Sequence, residues 1–324
     1  MRNAYPIIRF TNLYSTFIIM KKNICLIIVS IFLLPLITVA QPFKQQNFDT
    51  IKVVCKGALL IQVSKQFAFA EGPATDKKGN IYFTDQPNDK IWEYDTQGKL
   101  SVFMNKTGRS NGMYFDSQGN LVSCADAKNE IWSISPQKKV RVLLNNFNGL
   151  QFNGPNDLWI DKSGGIYFTD PYYQRDYWVR KKPALKYQAI YYLPKGKTKA
   201  LMLDSSLMQP NGIVGTPDGK YLYVADIQAN KTYRYQINKN RGLYNRMLFA
   251  TQGSDGMTLD EKGNVYLCGN GVTIYDSTGI KLGNIPVPAK WVGNICFGGK
   301  AHTTLFITAS ESIYTLQMVV KGIE

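Results

Sequence analysis

One phrase recurs along this chain and constrains its fold more than any other feature. It appears as "EGPATDKKGNIYFTD" from Glu71, "NGMYFDSQGNLVSCAD" from Asn111 and "NDLWIDKSGGIYFTD" from Asn156. It returns as "NGIVGTPDGKYLYVAD" from Asn211, "DGMTLDEKGNVYLCGN" from Asp255 and, more weakly, "NICFGGKAHTTLFITA" from Asn294. The leading residues lie 40, 45, 55, 44 and 39 positions apart. In the first five copies a glycine follows the leader by eight residues, at Gly79, Gly119, Gly164, Gly219 and Gly263. That spacing predicts a short strand after the leader, a tight turn in which glycine takes positive φ, and a returning strand. Between copies, stretches such as "KIWEYDTQGKLSVF" and "EIWSISPQKKVRVLL" read as two further strands joined by a polar turn. Four strands in about 45 residues make one propeller blade.

The predicted fold is therefore all-β, a six-bladed β-propeller with four-stranded blades. The stretch "TIKVVCKGALLIQV", Thr50 to Val63, is left over. A strand from it would pair with the last blade, close the ring and cover an exposed edge. Two packed β-sandwiches would also use short strands, but they give no reason for one leader-to-glycine spacing to recur five times.

Ahead of the repeats, Met20 is followed by Lys21, Lys22, an apolar run and the ending Thr38-Val39-Ala40, with the small residues Thr38 and Ala40 at the two positions that a signal peptidase reads. This is the order of a secretory signal peptide. The organisation expected is residues 1–40 as signal peptide and upstream extension, and residues 41–324 as one propeller domain. The product would be exported, periplasmic or secreted, with no stable membrane span after cleavage. Removing Arg2, Arg9, Lys21 and Lys22 takes the net charge from +15 to +11. Much of the excess lies between Arg175 and Lys199, within an insertion from Tyr172 to Ala200 that is longer than its blade requires. It reads as a solvated basic insertion that could rim the channel, rather than as a nucleic-acid patch. Oligomeric state has no signature in the sequence.

Export would permit disulfides. Yet Cys124, Cys268 and Cys296 sit in apolar strand-like runs, and Cys55 is far from each, so buried thiols are expected. The single histidine, His302, stands beside a turn and reads as a surface residue. It rules out a cage of several histidines.

The leaders carry the chemistry. Equivalent positions of successive blades lie at one height around a propeller axis. Glu71, Asn111, Asn156, Asn211, Asp255 and Asn294 should therefore converge, and all six bear side-chain oxygens. Two carboxylates among neutral amide oxygens suit one hard divalent cation. Calcium is the preferred ion, with magnesium, manganese or zinc as alternatives. The competing structural role is capping of strand ends and retention of water.

The phrases "AEGPATDKKGNIYFTD", "FNGPNDLWIDKSGGIYFTDPYY", "QPNGIVGTPDGKYLYVAD", "SDGMTLDEKGNVYLCGNG" and "VGNICFGGKAHTTLFITASESIY" resemble, in this order, the SMP-30/gluconolactonase/LRE family, and bacterial gluconolactonase-like members above all. The resemblance runs over roughly residues 66 to 316. It implies a propeller with one axial divalent metal, usually calcium, and hydrolysis of small-molecule lactones. By motif it places the metal at Glu71, Asn156, Asn211 and Asp255; separately, Asp255 is the expected catalytic proton acceptor, taking the proton of a metal-activated water. It places substrate contacts at Asn111 and Asn153, and the sixth leader, Asn294, joins them as a candidate. The chain departs from some animal members at Gly154, where they carry arginine, and from paraoxonase-like lactonases in having no histidine near the leaders. Asp157 and Asp226 are the other candidate bases, each equally suited to accepting hydrogen bonds at a strand end. The reading from a different class is a non-catalytic extracytoplasmic propeller that binds sugars or other ligands and keeps the metal as a structural plug. An esterase or phosphotriesterase on the same scaffold is a third.

Overall fold

The computed structural model describes residues 47–323. The expected signal peptide lies outside the described residues. Among those described, six four-stranded antiparallel sheets form the six blades of a propeller. The first blade runs Ala70–Thr75, Ile81–Asp85, Lys90–Tyr94, Leu100–Asn105, and each later blade repeats this order from the axis outward. The innermost strands of blades two to six are Ser110–Phe115, Leu158–Ile160, Pro210–Gly215, Met257–Leu259 and Asn294–Gly298. The sixth blade supplies only three strands of its own. Its fourth is Ile61–Lys65, which pairs antiparallel with Ser312–Gln317, Ile61 opposite Thr315 and Lys65 opposite Ser312. The ring is thus closed by hydrogen bonds between the two ends of the chain.

The leftover N-terminal stretch divides its labour in a way that the sequence did not reveal. Only its end pairs as a strand. Phe48, Ile51, Val53 and Val54 instead pack into a core with Tyr266, Phe297 and Leu316, joining blades five and six from outside the sheets.

Four of the six repeat turns are built alike. Asp76 Oδ1 accepts from the amides of Lys78 and Asn80, and Gly79 sits at φ 89°. Asp116, Asp161 and Asp260 do the same in blades two, three and five. An aspartate that caps its own turn, followed by a glycine free to take positive φ, fixes the hairpin register. Adjacent sheets meet through large aromatics; Phe83, Phe297 and Phe306 are wholly buried, each contributing about 2 kcal/mol of transfer free energy.

In blades one, two and four the innermost strand carries a bulge beside the leader, between Glu71 and Ala74, Ser110 and Met113, and Pro210 and Ile213. The leader therefore lies within the strand there, not ahead of it. In blades three and five Asn156 and Asp255 do precede the strand. A bulge beside a site re-aims a side chain out of the pleat, and in these three blades it turns the leader from within the strand.

Candidate axial site

The six leaders form a closed ring of contacts. Gly72 packs so closely on the Asn111 carbonyl that a Cβ there would overlap it. The amide of Gly112 donates to Asn156 O at 2.8 Å. Thr169 Oγ1 donates to Asn211 O at 2.7 Å. A Cβ at Gly212 would overlap the Asp255 carbonyl, and one at Gly256 the Asn294 side chain. The amide of Gly256 donates to Gly293 O at 2.7 Å, and Gly293 stands against Glu71 Oε1. The glycine after most leaders is thus a requirement of the axis, where successive backbones come too close for a side chain.

All six leaders bury their side chains except Asp255, which is partly covered. The Asn294 amide hydrogen-bonds both Glu71 and Asp157. Asn211 Nδ2 donates to Asp255 Oδ1 at 2.8 Å, and Trp291 Nε1 to Asp255 Oδ2 at 2.7 Å. Asp157 Oδ1 accepts the amide of Leu158 at 2.9 Å. Burial, and then the charges of Asp255 and Asp157, hold the Glu71 carboxyl well above the usual carboxylate range. Burial pushes Asp157 up to about 7 against its amide donors, and Asp255 up to about 6 against Trp291, Asn211 and the more distant Arg175. Three carboxylates share this space with little positive charge.

Such a cluster fits a hard cation. Asn111 Oδ1, Asn153 Oδ1 and Asn211 Oδ1 are buried acceptors that no protein donor reaches. An unsatisfied buried acceptor carries a cost of about 1–3 kcal/mol that a ligated cation removes. Among the described residues no three His, Cys, Asp or Glu side chains close on one point. The oxygen set must therefore lean on amides, as calcium permits and zinc does not favour.

The remaining expected residues fall as follows. Asn153 lies beside the ring rather than in it; its Nδ2 donates to Tyr187 O at 2.9 Å. Asp226 accepts from the amides of Met208 and Gln209, so its role is to hold the chain entering blade four. Asp85 and Asp170 hold the entries to blades one and three in the same way. The four cysteines among the described residues make no disulfide there, and Cys124, Cys268 and Cys296 are buried. His302 is half-buried, not simply at the surface. It lines a cavity of about 340 Å³ with Met113, Ile213 and Met257. That cavity is the lower channel between the downstream ends of the innermost strands. Its lining is largely apolar, and it touches the ring only through Asp157 and Asn294.

Two contributors were missed in the sequence. Trp291 precedes the sixth leader in "PAKWVGN", and no repeat pattern marks it. Tyr173 comes from the basic insertion, where its hydroxyl accepts from Asn211 Nδ2 at 2.9 Å. The insertion itself is folded inward at Arg175 and Arg180, although Lys181, Lys182 and Lys186 remain exposed.

A six-bladed propeller with a buried ring of carboxylate and amide oxygens on its axis is the class of protein that fold and site define. The model of the SMP-30/Gluconolactonase/LRE-like region matches residues 69–311, and the chain belongs to that family. It is 29% identical over 283 residues to a gluconolactonase of Zymomonas mobilis subsp. mobilis, covering 78% of this chain and 79% of that protein. Its fold superposes on a gluconolactonase of Xanthomonas campestris with a TM-score of 0.77 at 25% identity, covering 85% of this chain and 93% of the other. A calcium-binding regucalcin of Agrobacterium tumefaciens shares the fold with a TM-score of 0.69 at 19% identity, over 81% and 94% of the two chains.

Proposed function

We propose that this protein hydrolyses lactones, with sugar-acid lactones as the preferred class, at the ring of leaders and with one divalent cation, calcium by preference. The observation that carries this reading is the mutual repulsion of the axial carboxyls Glu71, Asp157 and Asp255 beside amide oxygens that lack donors. Kinship with gluconolactonases supports the choice of substrate. Glu71, Asn156, Asn211 and Asp255 would hold the ion. When bound, it supplies Lewis acidity to the lactone carbonyl and lowers the pKa of water beside it.

The protein's own groups do the rest. Asp255 accepts the attacking water's proton, oriented from both sides by Asn211 and Trp291. Asp157 is the less suited base, because it is buried within the ring beside Asn294 and Leu158, whereas Asp255 is only partly covered. Asn111 and Asn153 keep acceptors turned to no protein group, as hydroxyl donors on a sugar ring require. Asn294 separates Glu71 from Asp157 and is better placed to steady these carboxylates than to grip substrate. Export rests on the signal-like run of residues 20–40 alone.

The test is acid release at constant pH from gluconolactone, a simple γ-lactone, an aryl ester and a phosphotriester, with and without chelator. Lactone turnover that chelator abolishes and calcium restores supports the reading. A folded protein that binds calcium yet opens none of the panel would favour the non-catalytic propeller. The paired change Glu71→Gln with Asp255→Asn should remove metal binding and turnover together.

A further inference from the structure

Between Asp170 and Ala189 the third blade carries eighteen residues without regular structure. They are pinned. Trp178 is buried and its Nε1 donates to Asp126 O at 2.8 Å. The Tyr177 hydroxyl donates to Asp126 Oδ2, and Arg175 Nε lies 3.3 Å from the same oxygen. Arg180 donates to Asn153 O and stacks on the Trp178 ring at 4.2 Å. Asp126 stands where Asp85, Asp170 and Asp226 hold backbone amides at the entries to blades one, three and four. In blade two that carboxylate faces the insertion instead. The insertion is a strap fixed across blades two and three.

Its fixed point sets Tyr173. Asn211 Nδ2 gives one hydrogen to Asp255 Oδ1 at 2.8 Å and the other to the Tyr173 hydroxyl at 2.9 Å. The hydroxyl is thereby an acceptor from the protein, and its own hydrogen meets no acceptor among the described residues. A half-buried O–H, one side chain from Asp255 and with its hydrogen unspent, is a donor directed at a bound molecule.

We propose that Tyr173 is the hydrogen-bond donor to the ring oxygen of the lactone as the ring opens, a role that rests on the lactonase reading. In that step the water oxygen bonds to the carbonyl carbon and the bond from that carbon to the ring oxygen breaks. The electron pair stays on the ring oxygen, which ends as a hydroxyl bearing the water's proton. Nothing is oxidised or reduced, and Tyr173 keeps its own hydrogen throughout. Its contribution is greatest while negative charge gathers on the departing oxygen.

The departing group makes this testable. A sugar or alkyl lactone expels an alkoxide, which needs a donor. An aryl lactone such as dihydrocoumarin expels a phenolate, which spreads its charge into the ring and needs little help. Tyr173→Phe should lower kcat on alkyl lactones by about 100-fold, as removal of one such donor does, with KM little changed. On the aryl lactone the loss should be below about threefold. Loss of equal size on both substrates, or no loss on either, overturns the proposal. Absence of turnover by the unaltered protein sinks the lactonase reading and this role with it, whereas turnover that Tyr173→Phe leaves intact sinks this role alone. A second readout needs neither turnover nor metal. In chelator-treated protein with 13Cζ-labelled tyrosine, the resonance missing from Tyr173→Phe should shift on adding 1,5-anhydroglucitol, which offers a ring oxygen without a carbonyl. An unmoved resonance counts against the role.

Discussion

Trp291 holds Asp255 by a single indole hydrogen bond, Nε1 to Oδ2 at 2.7 Å, while Asn211 takes the other carboxylate oxygen. The pair comes from neighbouring blades, so the orientation of Asp255 depends on how blades five and six are docked. Trp291→Phe keeps the bulk and deletes the donor. A charge-assisted hydrogen bond contributes about 1.5–3 kcal/mol, and part of that is lost when water replaces the indole. The expected result is a kcat lowered about tenfold on a lactone, with a melting temperature within a few degrees of the parent. The indole also holds the Asp255 carboxyl down, against burial that raises it. Its removal should therefore move the acidic limb of the pH–rate profile upward, never downward.

The carboxylates should make cation binding steeply dependent on pH. Glu71 is held well above its ordinary range and Asp255 near 6, chiefly by burial. A protonated carboxyl cannot ligate, so protons compete with the ion from neutral pH downward. Calcium affinity, measured calorimetrically, should rise with pH until these carboxyls are ionised. It should fall by roughly tenfold or more per unit below pH 6, since one or two protons must leave for each ion bound. Asp255→Asn removes one of these protons and should flatten the slope while weakening binding overall. Affinity that is level from pH 5 to 8 would show that these carboxylates do not face the ion.

Gly256 tests the ring itself. A Cβ there would fall inside the Asn294 side chain, whose amide bridges Glu71 and Asp157. Gly256→Ala must push that amide aside, leaving two buried carboxylates without their shared donor. The effect should concentrate in function. Lactone turnover and calcium affinity should each drop at least tenfold, while the alanine costs the fold about 1–3 kcal/mol of overpacking. Chemical unfolding and calorimetry on the same preparation separate the two.

The blades were legible because turn chemistry is local. Asp76 with Gly79, or Asp161 with Gly164, can be read within five residues, and the spacing repeats. The leaders were legible for the same reason, as an irregular residue at a regular place. The strap was not. Its effect depends on Asp126, some fifty residues earlier, facing Tyr177 and Trp178 instead of the backbone of its own region. Nothing near Asp126 in "SCADAKNE" distinguishes it from Asp85 or Asp226. Trp291 was hidden likewise, because a loop residue acquires its partner only when the ring closes. The assignment of the basic stretch as a solvated rim failed at Arg175 and Arg180, where charge counting cannot reveal that a guanidinium is folded inward.

Asp170 predicts how stability responds to pH away from the candidate cation site. It is fully buried and accepts from the amides of Asn153 and Gly154 at 3.0 and 2.7 Å. Burial nevertheless outweighs those donors and raises its carboxyl to about 7. Unfolded, the group titrates near 4, so between those values the folded protein binds the extra proton. Stability from this group is thus greatest below about pH 4 and falls as pH rises toward 7, after which it changes no further. The acidic cluster on the axis has the same sign, so the test is a difference. Chelator-treated parent and Asp170→Asn should be unfolded in urea at several points from pH 5 to 8. The parent should lose stability with rising pH more steeply than the variant, by about 1.4 kcal/mol per unit at most. The variant should be less stable at pH 5, where its amide offers the two backbone donors only one acceptor oxygen, with the gap closing toward pH 8. Parallel lines for the two proteins would mean that Asp170 stays ionised throughout, held by those two amides and the charge of Arg180.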